Sequence, residues 1–298
     1  MKTILFALPG NENLTRLLAE KLGAEMGKAT IRRFPDGESY VRILSDVAGK
    51  KAVLVCTLHQ PDEKLLPLYF LASLARELGA KCTCLVAPYL AYMRQDKVFQ
   101  PGEGVTSGYF ARLVSGFADS LLTVDPHLHR IGKLSEIYGL PVEVVHAAGH
   151  ISKWIKENVE NPVLVGPDSE SGQWVSEAAA SAGVPFLVLE KARHGDRNVV
   201  VSVPQVDAFR KHTPVLIDDI ISTARTMIET MRHLKKAGMK KPVCIGVHAV
   251  FSGNAYIGLL EAGAARVVTC NTIPHESNGI DLSGLYLDFI EKFEKPLA

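Results

Sequence analysis

Val215-Leu216-Ile217-Asp218-Asp219-Ile220-Ile221-Ser222-Thr223-Ala224-Arg225-Thr226 is the stretch on which the fold of this chain turns. An apolar run ends in adjacent carboxylates. A short loop of small and hydroxyl residues follows, and Met227, Met231 and Leu234 then recur at helical spacing. That order predicts a buried strand, a tight turn and a helix N-terminus. Backbone N–H groups and Ser/Thr hydroxyls at such a turn can wrap a phosphate, helped by the positive end of the helix dipole. Carboxylates beside an anion site make sense once a polyol or a divalent metal is added. A sugar phosphate meets both needs: the loop holds its phosphate and the acids hold its hydroxyls. The plainer reading is a strand end with a helix N-cap, where Asp and Ser are common.

The chain has 298 residues, which predicts about two domains. Its 47% hydrophobic and 22% charged content is that of an ordinary globular protein. A net charge of +1 and the lack of a long basic run argue against a nucleic-acid partner. The opening Met1–Gly10 is too brief for a secretory signal and reads as a first buried strand. No window approaches the roughly 18 apolar residues of a membrane span. Cys56, Cys82, Cys84, Cys244 and Cys270 are an odd count scattered through apolar runs, which predicts reduced thiols and a cytoplasmic protein. Cys82 and Cys84 would share one face of a strand, but no matching Cys or His pair lies nearby, so they are expected to be core residues rather than metal ligands.

Working outward from the loop, apolar runs alternate with amphipathic ones. Strands are expected at 3–8, 52–57, 82–87, 120–124 and 142–145, then at 162–165, 185–189, 214–217, 243–248 and 266–270. Helices are expected at 11–22, 64–78, 107–116, 170–182, 226–237 and 254–262, several of them closed by Gly79, Gly183, Gly238 or Gly263. Such alternation predicts an α/β protein built on mostly parallel sheets. Each half has its own strand–helix–strand set, so two related domains are expected, 1–146 and 147–298, with His146–Lys156 as the crossover. Residues 30–43, around Pro35-Asp36-Gly37, read as a hairpin, and the charged segment 190–204 as a mobile loop or hairpin.

Four further segments carry polar chemistry. Arg33-Phe34-Pro35-Asp36-Gly37-Glu38 is either a plain turn or a loop whose ring stacks on a base while its acids accept from an amine or a ribose. Pro88-Tyr89-Leu90-Ala91-Tyr92-Met93-Arg94-Gln95-Asp96 follows a strand, at the end where α/β proteins bind ligands, and Arg94 offers a planar fork for phosphate or a surface ion pair. In Asp125-Pro126-His127 the proline fixes the backbone that aims the histidine. In Gly166-Pro167-Asp168-Ser169, Asp168 could be a metal ligand, an N-cap or both.

Together with the opening loop, these segments resemble the ribose-phosphate diphosphokinase (PRPP synthetase) family, in order and over nearly the whole chain. The resemblance implies two type I phosphoribosyltransferase-like domains, each a mostly parallel sheet flanked by helices. It implies transfer of the diphosphoryl group of ATP to O1 of ribose 5-phosphate, giving phosphoribosyl diphosphate (PRPP) and AMP. Phe34, Asp36 and Glu38 would belong to the adenine loop, and Arg94, Gln95 and His127 to the rest of the ATP site. His127 and Asp168 would serve Mg²⁺. Lys191 and Arg193 match the Lys-x-Arg of a flexible catalytic loop. Asp218, Asp219, Ser222, Thr223, Ala224, Arg225 and Thr226 would hold ribose 5-phosphate. Asn271–His275 is similar to the closing strand and turn. The resemblance also implies a homo-oligomer in which one subunit's adenine loop completes its neighbour's ATP site, with no membrane partner.

The family usually carries glycine near the positions of Ala224 and Arg225. Ala224 is expected to adopt an ordinary right-handed conformation, and Arg225 to add a phosphate contact or to point outward. Lys97–Glu103 replaces a basic run, and the residues after His127 lack a Gln-Ile-Gln-Gly-Phe-Phe stretch, so the chain is closer to divergent, less regulated branches. Two competing readings share the loop at 215–226: a phosphoribosyltransferase that consumes PRPP, and a catalytically silent regulatory subunit. The first has no need of the segments at Phe34, Arg94 and Lys191. The second would tolerate loss of Lys191, Arg193, His127 and Asp168, all of which are present.

Overall fold

A computed structural model of the chain describes residues 1–128, 130–166, 172–188, 190–194, 198–202 and 206–293. The chain divides into two compact units, Met1–Val145 with the segment from Ser283 onward, and His146–Leu282. The first unit runs β1 (Thr3–Ala7), α1 (Glu12–Leu22), β2 (Glu25–Met26), β3 (Ala29–Arg33), β4 (Ser39–Ile43), β5 (Lys51–Val55), α2 (Asp62–Glu77), β6 (Cys82–Val86), α3 (Thr106–Phe117), β7 (Ser120–Val124) and β8 (Val142–Val145). Its main sheet has the order β2-β1-β5-β6-β7-β8, with every pairing parallel. β5, β6 and β7 are buried along their whole length. Burial on both faces is why they appear in the sequence as unbroken apolar runs. β3 and β4 form an antiparallel hairpin of their own.

The second unit runs α4 (Ala148–Asn158), β9 (Pro162–Gly166), α5 (Gly172–Ala182), β10 (Phe186–Val188), β11 (Glu190–His194), β12 (Asn198–Ser202), β13 (Thr213–Ile220), α6 (Arg225–Lys236), β14 (Val243–His248), α7 (Ala255–Glu261), β15 (Arg266–Cys270) and β16 (Asn278–Ile280). Its sheet order is β10-β9-β13-β14-β15-β16, again all parallel. β11 and β12 pair as an antiparallel hairpin. The two units therefore repeat one plan. In each, the second strand flanks the first, the third to sixth follow on the other side, and a hairpin is inserted between the second and third.

Each unit has its own apolar core. Phe6, Leu54, Leu71, Val114 and Phe117 pack in the first. Leu216, Met227, Met231, Leu234 and Leu259 pack in the second, including the helical stripe expected after the loop. All five cysteines are free and buried, and burial pushes the Cys56, Cys84 and Cys244 thiols up to about 12. The four glycines expected to close helices all have positive φ. Among the described residues no helix is long and apolar enough to cross a membrane.

Three differences from the sequence expectation concern how the elements connect. His146–Lys156 is largely helix α4, whose Ile151, Trp154 and Ile155 are buried and whose Ser152 hydroxyl donates to Ala178 O on α5 at 3.0 Å. The last strand is β16, after the turn at Asn271–His275 rather than within it. Finally, the chain from Ser283 rejoins the first unit instead of ending in the second, and it forms helix α8 (Leu287–Lys292) there.

Lys51 holds that returning helix. The side chain is 2% exposed, and its Nζ donates to Ile290 O at 2.6 Å and Glu291 O at 3.2 Å. These are end carbonyls of α8, where the helix dipole is negative, so a buried ammonium finds its partner without a carboxylate. Lys21 Nζ adds a bond to Ser283 Oγ at 2.6 Å. Replacing Lys51 by methionine keeps the stem and removes these charge-assisted bonds. The unfolding free energy from urea denaturation should fall by about 2 kcal/mol. A midpoint equal to wild type would show that α8 docks by its apolar face alone.

A half-buried cation from the first turn of α2 closes the turn after β5. Lys64 Nζ donates to Thr57 O at 2.9 Å and lies 3.0 Å from His59 Nδ1. Burial, and then the Lys64 ammonium, lower the His59 pKa from 6.5 to about 4. The folded state thus binds this proton less readily than the unfolded chain does. Stability present above pH 6.5 is lost as pH falls through the window down to about 4. His59→Gln should flatten that part of the stability profile, measured as denaturation midpoints from about pH 4 to 7. A variant with the wild-type slope would assign the acid sensitivity to other groups.

Candidate functional site

Parallel pairing sends the carboxyl ends of all strands of a sheet to one edge, and Arg94, Gln95, His127 and the 218–226 segment follow such ends. In the second unit β13 continues through Asp218 and Asp219 to Ile220, with Asp218 opposite Gly246 and Ile220 opposite His248 on β14. Both carboxylates are half-buried. Asp218 Oδ1 accepts the Asp219 N–H at 3.0 Å, and Asp219 Oδ1 accepts the Ile220 N–H at 2.8 Å. Ile221 is buried over the backbone of β14. A Cβ on Gly246 would lie 2.6 Å from Ile221 Cγ1, so only glycine admits the loop so close to the sheet.

Ser222, Thr223, Ala224 and Arg225 then turn the chain into α6, with Thr223 and Arg225 exposed. Ala224 is the N-cap, at φ 56° and ψ 8°. The expectation of a right-handed Ala224 is wrong: the turn demands the left-handed conformation that glycine takes freely. An L-residue there costs about 1 kcal/mol or more. The alanine methyl is 8% exposed and packs in the unit's core, which offsets part of that cost. The first turn of α6 contains no acid, and its last turn carries His233, Lys235 and Lys236. The acid-free first turn leaves the positive end of the helix dipole uncompensated beside the hydroxyl loop, while the basic last turn stabilises the helix at its negative end.

The corresponding corner of the first unit lies between β5 and α2. It too has a left-handed residue, Gln60 at φ 50°. Its helix, however, opens with Asp62 and Glu63. Carboxylates in the first turn occupy the positive end of the dipole and repel a phosphate. Of the two duplicated corners, only the one at 218–226 is suited to an anion.

In the first unit the Arg94–Asp96 segment and His127 follow the carboxyl ends of β6 and β7, whereas Phe34, Asp36 and Glu38 stand on the separate hairpin β3–β4. The hairpin tip is tied by Phe34 N–H to Glu38 O at 2.8 Å and Gly37 N–H to Phe34 O at 2.9 Å, with Gly37 at φ 96°. Phe34 is 40% exposed. The Arg32 guanidinium lies 4.7 Å from its ring centroid and 4.3 Å from that of Tyr40. Asp36 and Glu38 are exposed, and Asp36 Oδ1 accepts the Glu38 N–H at 3.2 Å. The hairpin's neighbour is α2, where Arg33 Nη2 reaches Glu63 O at 3.5 Å.

Arg94 is exposed. Gln95 accepts at the start of α3, from Thr106 Oγ1 at 3.3 Å and Ser107 N at 3.4 Å. The Asp96 side chain, 2% exposed, accepts from Arg130 Nη1 at 3.0 Å. This ion pair joins the Arg94–Asp96 segment to the loop that bears half-buried His127. Asp125, which opens that loop, has φ 32° and donates its N–H to Val145 O at 3.1 Å. Lys191 and Arg193 stand on β11 opposite Val201 and Val199, and their side chains lie outside the described residues. So does Asp168. Among the described residues no group of three or more His, Cys, Asp or Glu side chains is placed to hold a metal. The sequence reading passed over Phe251-Ser252-Gly253-Asn254, which lies against the 221–222 turn. Its signal was a Ser-Gly turn directly after the apolar run 243–248.

Comparison with known proteins agrees with this geometry. Residues 3–117 match a family model described as the N-terminal domain of ribose phosphate pyrophosphokinase, and residues 135–286 match the phosphoribosyl transferase domain. A ribose-phosphate pyrophosphokinase of Methanopyrus kandleri is 34% identical over 290 residues, covering 97% of this chain and 98% of that one. Another from Sulfolobus acidocaldarius is 31% identical, covering 91% and 92%. The crystal structure of phosphoribosylpyrophosphate synthetase from Mycobacterium smegmatis superposes with a TM-score of 0.86 at 25% identity, over 98% of each chain. With the two matched domains spanning most of its length and these relatives aligned nearly end to end, the chain belongs to the ribose-phosphate pyrophosphokinase family.

Proposed function

We propose that the protein transfers the diphosphoryl group of ATP to O1 of ribose 5-phosphate, forming PRPP and AMP. The observation that carries this reading is the corner at 218–226: paired carboxylates next to an acid-free helix N-terminus, in a chain of this family. Ser222, Thr223 and Thr226, with the first N–H groups of α6, would hold the 5-phosphate. Asp218 and Asp219 would accept from the ribose hydroxyls. Arg225, exposed at the first position of α6, would add its charge to the phosphate. In the first unit Phe34 would stack on adenine, Asp36 and Glu38 would accept from its amine or ribose, and Arg94, Gln95 and His127 would meet the phosphates.

In the reaction O1 attacks the β-phosphorus, the bond from that phosphorus to the α,β-bridging oxygen breaks, AMP leaves with that oxygen, and the O1 proton passes to solvent. In-line transfer of this kind needs positioning and charge neutralisation more than covalent help. Lys191 and Arg193 would close on the transferring group as its charge develops. One histidine and one carboxylate would suit Mg²⁺, which keeps much of its shell as water and substrate phosphate and takes one or two protein ligands. His127 and Asp168 would supply those ligands, and the ion would neutralise phosphate charge. The exposed Phe34 tip supports a homo-oligomer in which the hairpin completes a neighbour's ATP site. Five free, buried thiols support a cytoplasmic location.

An assay of AMP release from ATP and Mg²⁺ with and without ribose 5-phosphate tests the whole reading. Release that depends on ribose 5-phosphate is expected, and its absence would favour a silent subunit or a PRPP-consuming transferase. Lys191→Ala should lower turnover by about 10² or more with ATP binding nearly intact; a variant turning over at the wild-type rate removes Lys191 from catalysis. Asp219→Ala should raise KM for ribose 5-phosphate far more than KM for ATP, and equal effects on both would argue against a dedicated ribose site.

A further inference from the structure

The phosphate turn of the second unit is tied to the loop that follows the neighbouring strand. Beyond His248, the Phe251 N–H donates to Ile221 O at 2.8 Å and the Ser252 N–H donates to Ser222 O at 3.0 Å. The hydroxyls of Ser222 and Ser252 lie 3.0 Å apart, within hydrogen-bond distance. Consecutive residues of one loop are thus bonded to consecutive residues of the other, through main chain and side chain.

The arrangement is held against strain. Phe251 has φ 31°, a conformation that costs a bulky L-residue on the order of 1–3 kcal/mol. Its ring packs with those of Tyr256 at 5.4 Å and His275 at 4.6 Å, and these two stand 4.9 Å apart. Three half-buried rings, from this loop, the start of α7 and the turn after β15, therefore brace the residue that precedes Ser252. Gly253, at φ 58°, then turns the chain toward α7.

An anion site needs N–H and O–H donors facing the ligand and carbonyl oxygens facing elsewhere. The loop at 251–252 takes up the carbonyls of Ile221 and Ser222 on its own side. A peptide flip in this small-residue turn would aim a carbonyl oxygen at the phosphate, and these bonds oppose it. The hydroxyl pair adds control of the Ser222 rotamer, which the main-chain bonds leave unspecified.

We propose that Ser252 is a positioning residue for the 5-phosphate, acting by orienting Ser222. The proposal rests on the reading of 218–226 as the ribose 5-phosphate site. Ser252→Ala removes the hydroxyl and keeps the main-chain bond. It should raise KM for ribose 5-phosphate about fivefold to tenfold, the scale of one hydrogen bond, with KM for ATP, kcat and Tm unchanged. Ser252→Thr, which keeps a hydroxyl, should restore most of the loss. Calorimetric titration of ribose 5-phosphate separates the two levels. If the wild-type protein does not bind it, the site assignment falls and the role of Ser252 with it. If wild type binds and Ser252→Ala binds equally well, only the role of Ser252 falls. A KM raised equally for both substrates, or a lowered Tm, would make Ser252 a structural residue and also overturn the proposal.

Discussion

Parallel strand pairing is the constraint from which the rest follows. A parallel strand can be continued only by crossing back over the sheet, so each strand must end in a corner that feeds a helix or a long loop. All these corners fall on one edge, and both units have the same strand order. The candidate ligands therefore occur at matched places: after β5 and β13, after β6 and β14, after β7 and β15, and on the hairpin inserted before the third strand. Topology fixes where polar chemistry can stand, and local composition decides which corner performs it.

Electrostatics then separates the duplicated corners. The corner at β5 fills its helix N-terminus with Asp62 and Glu63 and turns Lys64 inward to Thr57 and His59. The corner at β13 leaves its helix start free of acids and places Asp218 and Asp219 behind the turn, on the strand. Backbone strain follows the same map. Of the six non-glycine residues at positive φ among the described residues, Gln60, Tyr92, Asp125, Ala224 and Phe251 lie beyond the carboxyl end of a sheet strand, and only Asn161 lies before one. Strain held at such places by the surrounding packing is a mark of sites whose geometry is constrained by more than stability.

Much of this was legible in the sequence. Ser120–Val124, Val243–His248 and Arg266–Cys270 are strands with the bounds that the apolar runs predict, because strands buried over nearly their whole length leave no alternation to confuse the period; Val142–Val145 also keeps its expected bounds, although it is only partly buried. The hairpins at Pro35-Asp36-Gly37 and in 190–204 were legible from turn chemistry and from alternation. Less was legible where tertiary contacts decide. Glu25–Met26 is an exposed two-residue edge strand with no apolar signature. The return of the C-terminal segment depends on Lys51 meeting the carbonyls of Ile290 and Glu291, far away in sequence. Ala224 looked like a residue with no reason to leave the right-handed region, because its φ is imposed by the turn between Ile221, packed on Gly246, and the start of α6.

That alanine bears on how tightly the loop can grip. A glycine at the same corner would sit without strain but would let the free loop wander among many backbone states, and a ligand would have to freeze them. Alanine narrows the wandering beforehand, and its methyl anchors the corner to the core. Part of the ordering entropy of the loop is thus already spent during folding, so less of the interaction with the phosphate proposed for it would be consumed in shaping the site.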